Sequence, residues 1–210
     1  MSLVTRRSSM TLFSDGREHY SHRVRMVLAE KGVTCDIVEV DSENKPEDLA
    51  EINPYNSLPT LLDRDLVLYE ANVIMEYLDE RFPHPPLLPV YPVQRALSRL
   101  WVTRVEREWS SRLDVLMSPK SREPALSKAR KELRESLVAV APIFAEKPFF
   151  MHDEFTLVDC CVAPILWRLK VVDIQLPDRT CRPMQKYMQS IFARESFRLS
   201  LSEAELEMQD

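Results

Sequence analysis

Pro83, Pro85, Pro86, Pro89 and Pro92 put five prolines into ten residues, a stretch that neither a helix nor a central strand can cross. Each lacks a backbone N–H, and each pushes the residue before it toward extended geometry. Structure before Phe82 and structure after Pro92 must therefore be built as separate runs, and the two runs differ in character.

Before the prolines, strand-like and helix-like segments alternate, the mark of a packed α/β unit. Met10 to Ser14 reads as a strand. A helix is expected from about Ser21, with Val24, Val27 and Leu28 as its apolar stripe and Lys31-Gly32 as a cationic last turn with a glycine cap. Cys35 to Val40 alternates as a second strand, and Pro46 to Glu51 suits a short helix with acids in its first turn. Thr60–Asp63 and Leu66–Tyr69 read as a hairpin around Arg64-Asp65, although the usual glycine is missing. The stripe Val73, Ile74, Tyr77 and Leu78 then marks a helix from Glu70 that must stop by Phe82.

After the prolines everything reads as helix. Leu97, Trp101, Val105, Trp109 and Leu113 recur every four residues, predicting one long helix from about Val93 to Met117. Leu126, Leu133 and Leu137 carry a second, antiparallel to the first. Thr156-Leu157-Val158-Asp159 is a capping box with Asp in place of Glu, opening a helix that Pro164 should kink. A last helix is expected over about Met184 to Arg194.

Composition narrows the function classes. With 33 acidic against 28 basic side chains, the net charge of −5 argues against duplex binding and against direct sequence-specific nucleic-acid recognition. No apolar run approaches the roughly 20 residues that span a bilayer, and the start lacks a secretory signal, so a cytoplasmic protein with no membrane partner is expected. The four cysteines, Cys35, Cys160, Cys161 and Cys181, show no metal-ligand or redox spacing and read as buried reduced thiols. His19 and His22 lack a third ligand at suitable spacing, so neither a metal nor any other cofactor is expected. Trp101 and Trp109 read as packing, and Arg99, Arg104, Arg107 and Arg112 as a solvated helix face.

The element order resembles the glutathione-transferase fold, α/β plus all-α: a thioredoxin-like N-terminal domain and a helical C-terminal domain. Ser57-Leu58-Pro59-Thr60-Leu61 looks like the family's cis-proline turn, where Leu58 would offer its backbone to glutathione. Tyr69-Glu70-Ala71-Asn72 lies where the family grips the γ-glutamyl end, and the Thr156–Asp159 box matches its helical core. By this resemblance residues 1–9 are a flexible N-terminus, 10–83 the thioredoxin-like domain, 84–92 a proline-rich linker and surface, 93–201 the helical domain and 202–210 a C-terminal tail.

Narrower still, Ile74 to Pro86, Leu88 to Val93 and Tyr20 to Arg25 closely resemble the bacterial stringent starvation protein A family. That resemblance implies a homodimer that binds RNA polymerase holoenzyme or its sigma subunit and regulates transcription without catalysis in the stringent, starvation or acid-stress response. It places the partner surface on Pro83, His84, Pro85, Pro86 and Tyr91. From the residues alone, the same segment reads more simply as a stiff linker. The resemblance turns the preference toward a preformed recognition surface, whose rigid backbone loses little entropy when a partner docks.

The transferase chemistry looks eroded. Matched to thiol-type transferases, Glu18 stands where their cysteine would, and a carboxylate there opposes a thiolate. Tyr20, Ser14 and Ser21 are the other candidate donors. Ala71 replaces the hydroxyl that binds the γ-glutamyl carboxylate, a loss of about 1.5–3 kcal/mol. Glu18, Tyr20, Leu58, Pro59, Glu70 and Ala71 are thus expected as vestigial glutathione positions, with no catalytic residue among them. The alternatives are a glutathione-dependent transferase with an atypical active site and a dimeric scaffold for another protein.

Overall fold

The computed structural model describes residues 10–209, so the flexible stretch expected over 1–9 lies outside the described residues. The chain divides into two compact units, one running to Pro85 and resuming over Ser196–Met208, the other covering Pro86–Glu195 with Gln209.

In the first unit, Thr11–Ser14 (β1), His19–Lys31 (α1), Asp36–Glu39 (β2), Glu47–Ile52 (α2), Thr60–Asp63 (β3), Leu66–Tyr69 (β4) and Ala71–Arg81 (α3) follow in sequence. The sheet order is β2-β1-β3-β4. β1 runs parallel to β2 because α1 carries the chain back across the sheet, whereas β3 and β4 form an antiparallel hairpin. Arg64 takes φ 59 in the hairpin turn, the left-handed geometry that a glycine would adopt more cheaply. Phe13, Val40, Leu49 and Leu58 form one core cluster, joined by Val38, Ile52 and Leu62.

Two expectations shift here. α1 starts at His19 rather than Ser21, because the Asp15 carboxylate accepts from Arg17 N (2.6 Å) and Glu18 N (3.1 Å) and shapes the chain just ahead of the first turn. α1 ends where expected, with Gly32 at φ 59 and its N–H on Ala29 O. In α3 the buried stripe is Ala71, Ile74, Met75 and Leu78, at i, i+3, i+4 and i+7, which leaves Val73 exposed on the flank.

The second unit is helical throughout: Pro92–Val105 (α4), a π-helical turn over Glu106–Ser110, Ser111–Met117 (α5), Ala125–Val140 (α6), a 3₁₀ turn over Ala141–Ala145, Leu157–Trp167 (α7) and Asp178–Ala193 (α8). The π turn accounts for a flaw in the four-residue stripe. Spaced every four residues on a helix of about 3.6 per turn, such positions drift by about 40° at each step. Leu97, two steps before Val105, is accordingly 51% exposed, while Val105, Trp109 and Leu113 are buried. The wider π turn re-registers the seam. Phe150 anchors this core, with the rings of Trp101, Trp109 and Phe144 packed edgewise on it.

α7 opens on the expected box. Thr156 Oγ1 accepts from Val158 N at 3.2 Å, and Asp159 Oδ2 accepts from Thr156 N at 2.8 Å. α7 runs on through Pro164 to Trp167. α8 starts at Asp178, six residues before the expected Met184, and runs through Pro183 while burying Cys181, Met184, Tyr187 and Ile191. Cys160, Cys161 and Cys181 are buried thiols; Cys35 differs from the expectation in being only half-buried, immediately before β2. Among the described residues no helix is long and apolar enough to cross a membrane.

The largest departure is at the C-terminus. Residues expected as the end of the helical domain and as a tail instead form Glu195–Ser200 (α9) and Glu203–Glu207 (α10), and Ser196–Met208 belongs to the first unit. Its reason is electrostatic and local to that unit. Glu205, fully buried, accepts from Arg25 Nη2 (2.6 Å) and Ser202 N (2.9 Å), and Arg25 Nε donates to Ser200 O (2.9 Å).

Candidate functional site

Strand register gathers the expected glutathione positions at one end of the sheet. Phe13 pairs with Thr60 and Thr60 with Tyr69, so the loop after β1, the turn before β3 and the residues after β4 share that end. Leu58-Pro59 is cis, as the resemblance implied, and both residues are buried. Asn53 Nδ2 staples the turn, donating to Ser57 O at 3.1 Å and Thr60 Oγ1 at 2.8 Å. Glu70 is exposed at φ 70, and Ala71 is buried as the first residue of α3.

Two of the candidate hydroxyls, Ser14 and Ser21, are bonded within the fold. Ser14 Oγ accepts from Arg25 Nη1 at 2.5 Å. Ser21 Oγ donates to Glu18 Oε2 at 3.3 Å and accepts from Asp15 N at 3.1 Å. Glu18, half-buried, precedes the first residue of α1 with its carboxylate turned to that serine. Tyr20 is half-buried, its ring under the Arg23 guanidinium at 4.8 Å and beside His19 at 4.0 Å. Burial pushes the Cys35 thiol up to about 12, with Asp36 adding to the rise, so it holds its proton at neutral pH. His22 lies between Glu205 Oε1 (3.3 Å) and Ser200 Oγ (3.0 Å), and His19 Nδ1 is 3.1 Å from Arg23 Nη2.

The proline segment combines exposed side chains with a tethered backbone. Pro83, His84, Pro85 and Pro86 are all exposed, and Tyr91 is 71% exposed. His84-Pro85 is cis. Within the first unit, the fully buried Lys31 ammonium donates to Pro85 O and to Asp79 Oδ1 (2.6 Å). Within the second, Leu157 N donates to Leu87 O at 2.8 Å and Arg95 Nε to Pro89 O at 3.0 Å, above the buried side chains of Leu87 and Leu88. The Pro85 carbonyl is thus held within the first unit, and the Leu87 and Pro89 carbonyls within the second, while His84, Pro86 and Tyr91 stay exposed.

Sequence reasoning named the exposed residues but missed what holds them. Lys31 read only as a cationic last turn, and nothing local marks Arg95 as a tether. The buried Arg25–Glu205 pair was also missed, although Ser202-x-x-Glu205 is a capping box visible in the sequence.

Comparisons with known proteins agree with this architecture. The family model for the glutathione S-transferase N-terminal domain matches residues 19–81, and that for the C-terminal domain matches residues 100–195. A stringent starvation protein A homolog of Coxiella burnetii is 53% identical over 99% of this chain and 98% of its own. The Haemophilus influenzae homolog is 49% identical over 97% and 95%. A probable glutathione S-transferase of Solanum tuberosum is 36% identical over 67% of this chain and 64% of its own. Among solved structures, the Tau class glutathione S-transferase of mango superposes with a TM-score of 0.82 at 24% identity, covering 97% of each chain. The bacterial transferase BphK, solved as a ternary complex, gives a TM-score of 0.84 at 23% identity over 93% of this chain and 98% of its own. Those two likenesses carry the fold alone.

Proposed function

The chain belongs to the stringent starvation protein A family of the glutathione S-transferase superfamily, and from that premise we propose that it is a noncatalytic transcriptional regulator of the stress response. It acts in the cytoplasm in the stringent, starvation or acid-stress response, and binds RNA polymerase holoenzyme or its sigma subunit through Pro83, His84, Pro85, Pro86 and Tyr91. The observation that carries this reading is that the backbone of the segment is tethered, Pro85 O within the first unit and Leu87 O and Pro89 O within the second, while the recognition side chains stay exposed. A surface already ordered before contact loses little conformational entropy on docking, and Tyr is favoured at the energetic centre of interfaces.

The eroded chemistry at the sheet end supports the same reading. Ser14 and Ser21 are bonded within the fold, and Ala71 offers no hydroxyl. A homodimer is part of the proposal. Val93, Leu97 and Leu100 stand at i, i+4 and i+7 on α4 and are 71%, 51% and 63% exposed, an apolar stripe that a second copy would cover.

The test is capture of RNA polymerase on immobilised protein, comparing the natural chain with Pro83→Ala, His84→Ala and Pro85→Ala combined. Capture should be lost with thermal melting unchanged; undiminished capture overturns the proposal. The rival reading, a glutathione-dependent transferase with an atypical site, is favoured by the cis Leu58-Pro59 turn. Saturable turnover of glutathione with an electrophile would establish it, and the absence of any melting shift in millimolar glutathione would remove it.

A further inference from the structure

On the helical unit a cleft of about 540 Å³ is lined by the 3₁₀ turn, the segment after it and α8. Its rim is basic. Arg179, Arg182 and Lys186 stand at i, i+3 and i+7 along α8, a spacing that places them on one face of the helix, and Lys147 joins them from the segment after the 3₁₀ turn. All four are exposed. Lys147 is paired with Asp153 at 2.8 Å. Among the described residues the side chains of Arg179, Arg182 and Lys186 have no hydrogen bond or ion pair, and the neighbouring Asp178 instead accepts from Gln185 Nε2 at 3.0 Å.

The floor of the cleft is apolar. Phe144 and Tyr187 pack with ring centroids 4.8 Å apart, and Pro148 and Pro183 lie beside them. The Tyr187 hydroxyl donates to the buried Asp159 at 2.7 Å, so the cleft receives its ring rather than its polar tip.

Three unpaired cations on one helix face make a locally positive patch on a chain whose net charge is −5. Held together without counter-charges they repel one another, and a bound anion relieves that repulsion. We propose that this cleft docks an acidic peptide segment of a partner protein, with carboxylates on Arg179, Arg182 and Lys186 and an apolar side chain on the Phe144–Tyr187 floor.

Geometry favours a peptide over phosphate ligands. From Arg179 to Lys186 the helix rises about 10 Å, too far for one phosphate to span but suited to a row of carboxylates on a peptide. Three free cations are also too few to hold a polyphosphate backbone against the acidic remainder of the chain at physiological salt. The cleft lies wholly within the helical unit, so this inference is independent of the proline surface and is tested separately.

The experiment uses fluorescence anisotropy with a labelled peptide of about eight residues, acidic except for a central leucine, against the same peptide with lysines in place of the acids. The full chain should bind the acidic peptide at least about tenfold more tightly than the lysine peptide, with affinity falling as salt is raised. Arg182→Glu combined with Lys186→Glu should weaken binding by about tenfold or more with unchanged melting, while Arg182→Lys should retain most of it. No preference for the acidic peptide, or an unaffected charge-reversed variant, overturns the inference. So does tighter binding of inorganic pyrophosphate or oligothymidylate that the same variant abolishes, which would assign the cleft to phosphate ligands.

Discussion

Arg25 Nη2 lies 2.6 Å from Glu205 Oε2, an ion pair joining residues 180 apart in sequence with both side chains closed to solvent. The same carboxylate accepts from Ser202 N at 2.9 Å and lies 3.3 Å from His22 Nδ1, so one buried acid fastens the C-terminal helices to α1.

Removing that acid leaves a buried guanidinium without its partner, which is strongly destabilising even where the intact pair contributes little net stability. Glu205→Ala should therefore lower unfolding free energy by about 3–5 kcal/mol, read from urea titration of the natural and variant chains. A change under about 1 kcal/mol would mean that water or a rearranged neighbour replaces the carboxylate.

The pH response of the helical unit should centre on Asp159. Burial pushes its carboxyl from the ordinary 3.8 to about 6, against hydrogen bonds from Phe150 N, Tyr187 Oη and Thr156 that pull it down. Between about pH 4 and pH 6 the folded chain thus binds more protons here than the unfolded chain, and this group's contribution to stability falls as pH rises, levelling above 6 after a loss of about 3 kcal/mol. Tyr187→Phe removes a donor to the charged form. It should cost about 1–3 kcal/mol at pH 8 and distinctly less at pH 4.5, where Asp159 is protonated; urea titrations at the two pH values check the difference.

The thiol chemistry should be silent. With the Cys35 thiol held near 12 and Cys160, Cys161 and Cys181 buried, reaction with a disulfide reagent at pH 7.5 should be slow in the folded chain and rapid in urea. Cys35→Ser should leave polymerase capture unchanged, since no role in docking falls to this position. Fast labelling of one thiol in the native protein would contradict this.

Most of the fold is legible in the sequence because its signals are local. The prolines from Pro83 to Pro92 break the chain, alternation marks the strands, and the Thr156–Asp159 box starts α7. What is not legible depends on partners distant in sequence. Nothing local marks Arg25 as a buried cation paired with Glu205, and the fate of residues 196–208 turns on that pair. Val73 and Leu97 are apolar at helical spacing yet exposed, because periodicity reports a face without reporting what covers it. The candidates His84 and Tyr91 come from the family resemblance, since chain stiffness alone reads as a linker, and the tether at Pro85 is a lysine 54 residues upstream.

That tether gives the sharpest test of the proline surface. The Lys31 side chain is closed to solvent and donates to both Pro85 O and Asp79 Oδ1, so it acts on a docking partner by holding the backbone that presents His84. Lys31→Met alone would take the ammonium from the buried Asp79 carboxylate, and Lys31→Met with Asp79→Leu removes both charges and avoids that penalty. The double variant should melt close to the natural chain yet capture RNA polymerase about tenfold less well, because a loosened segment must be ordered on binding. Restored capture on adding Pro or other rigidifying changes near His84 would strengthen the case. Full capture by the double variant would show that the neighbouring anchors at Leu87 and Pro89 suffice to order the surface, and that the contact does not depend on the position of the Pro85 carbonyl.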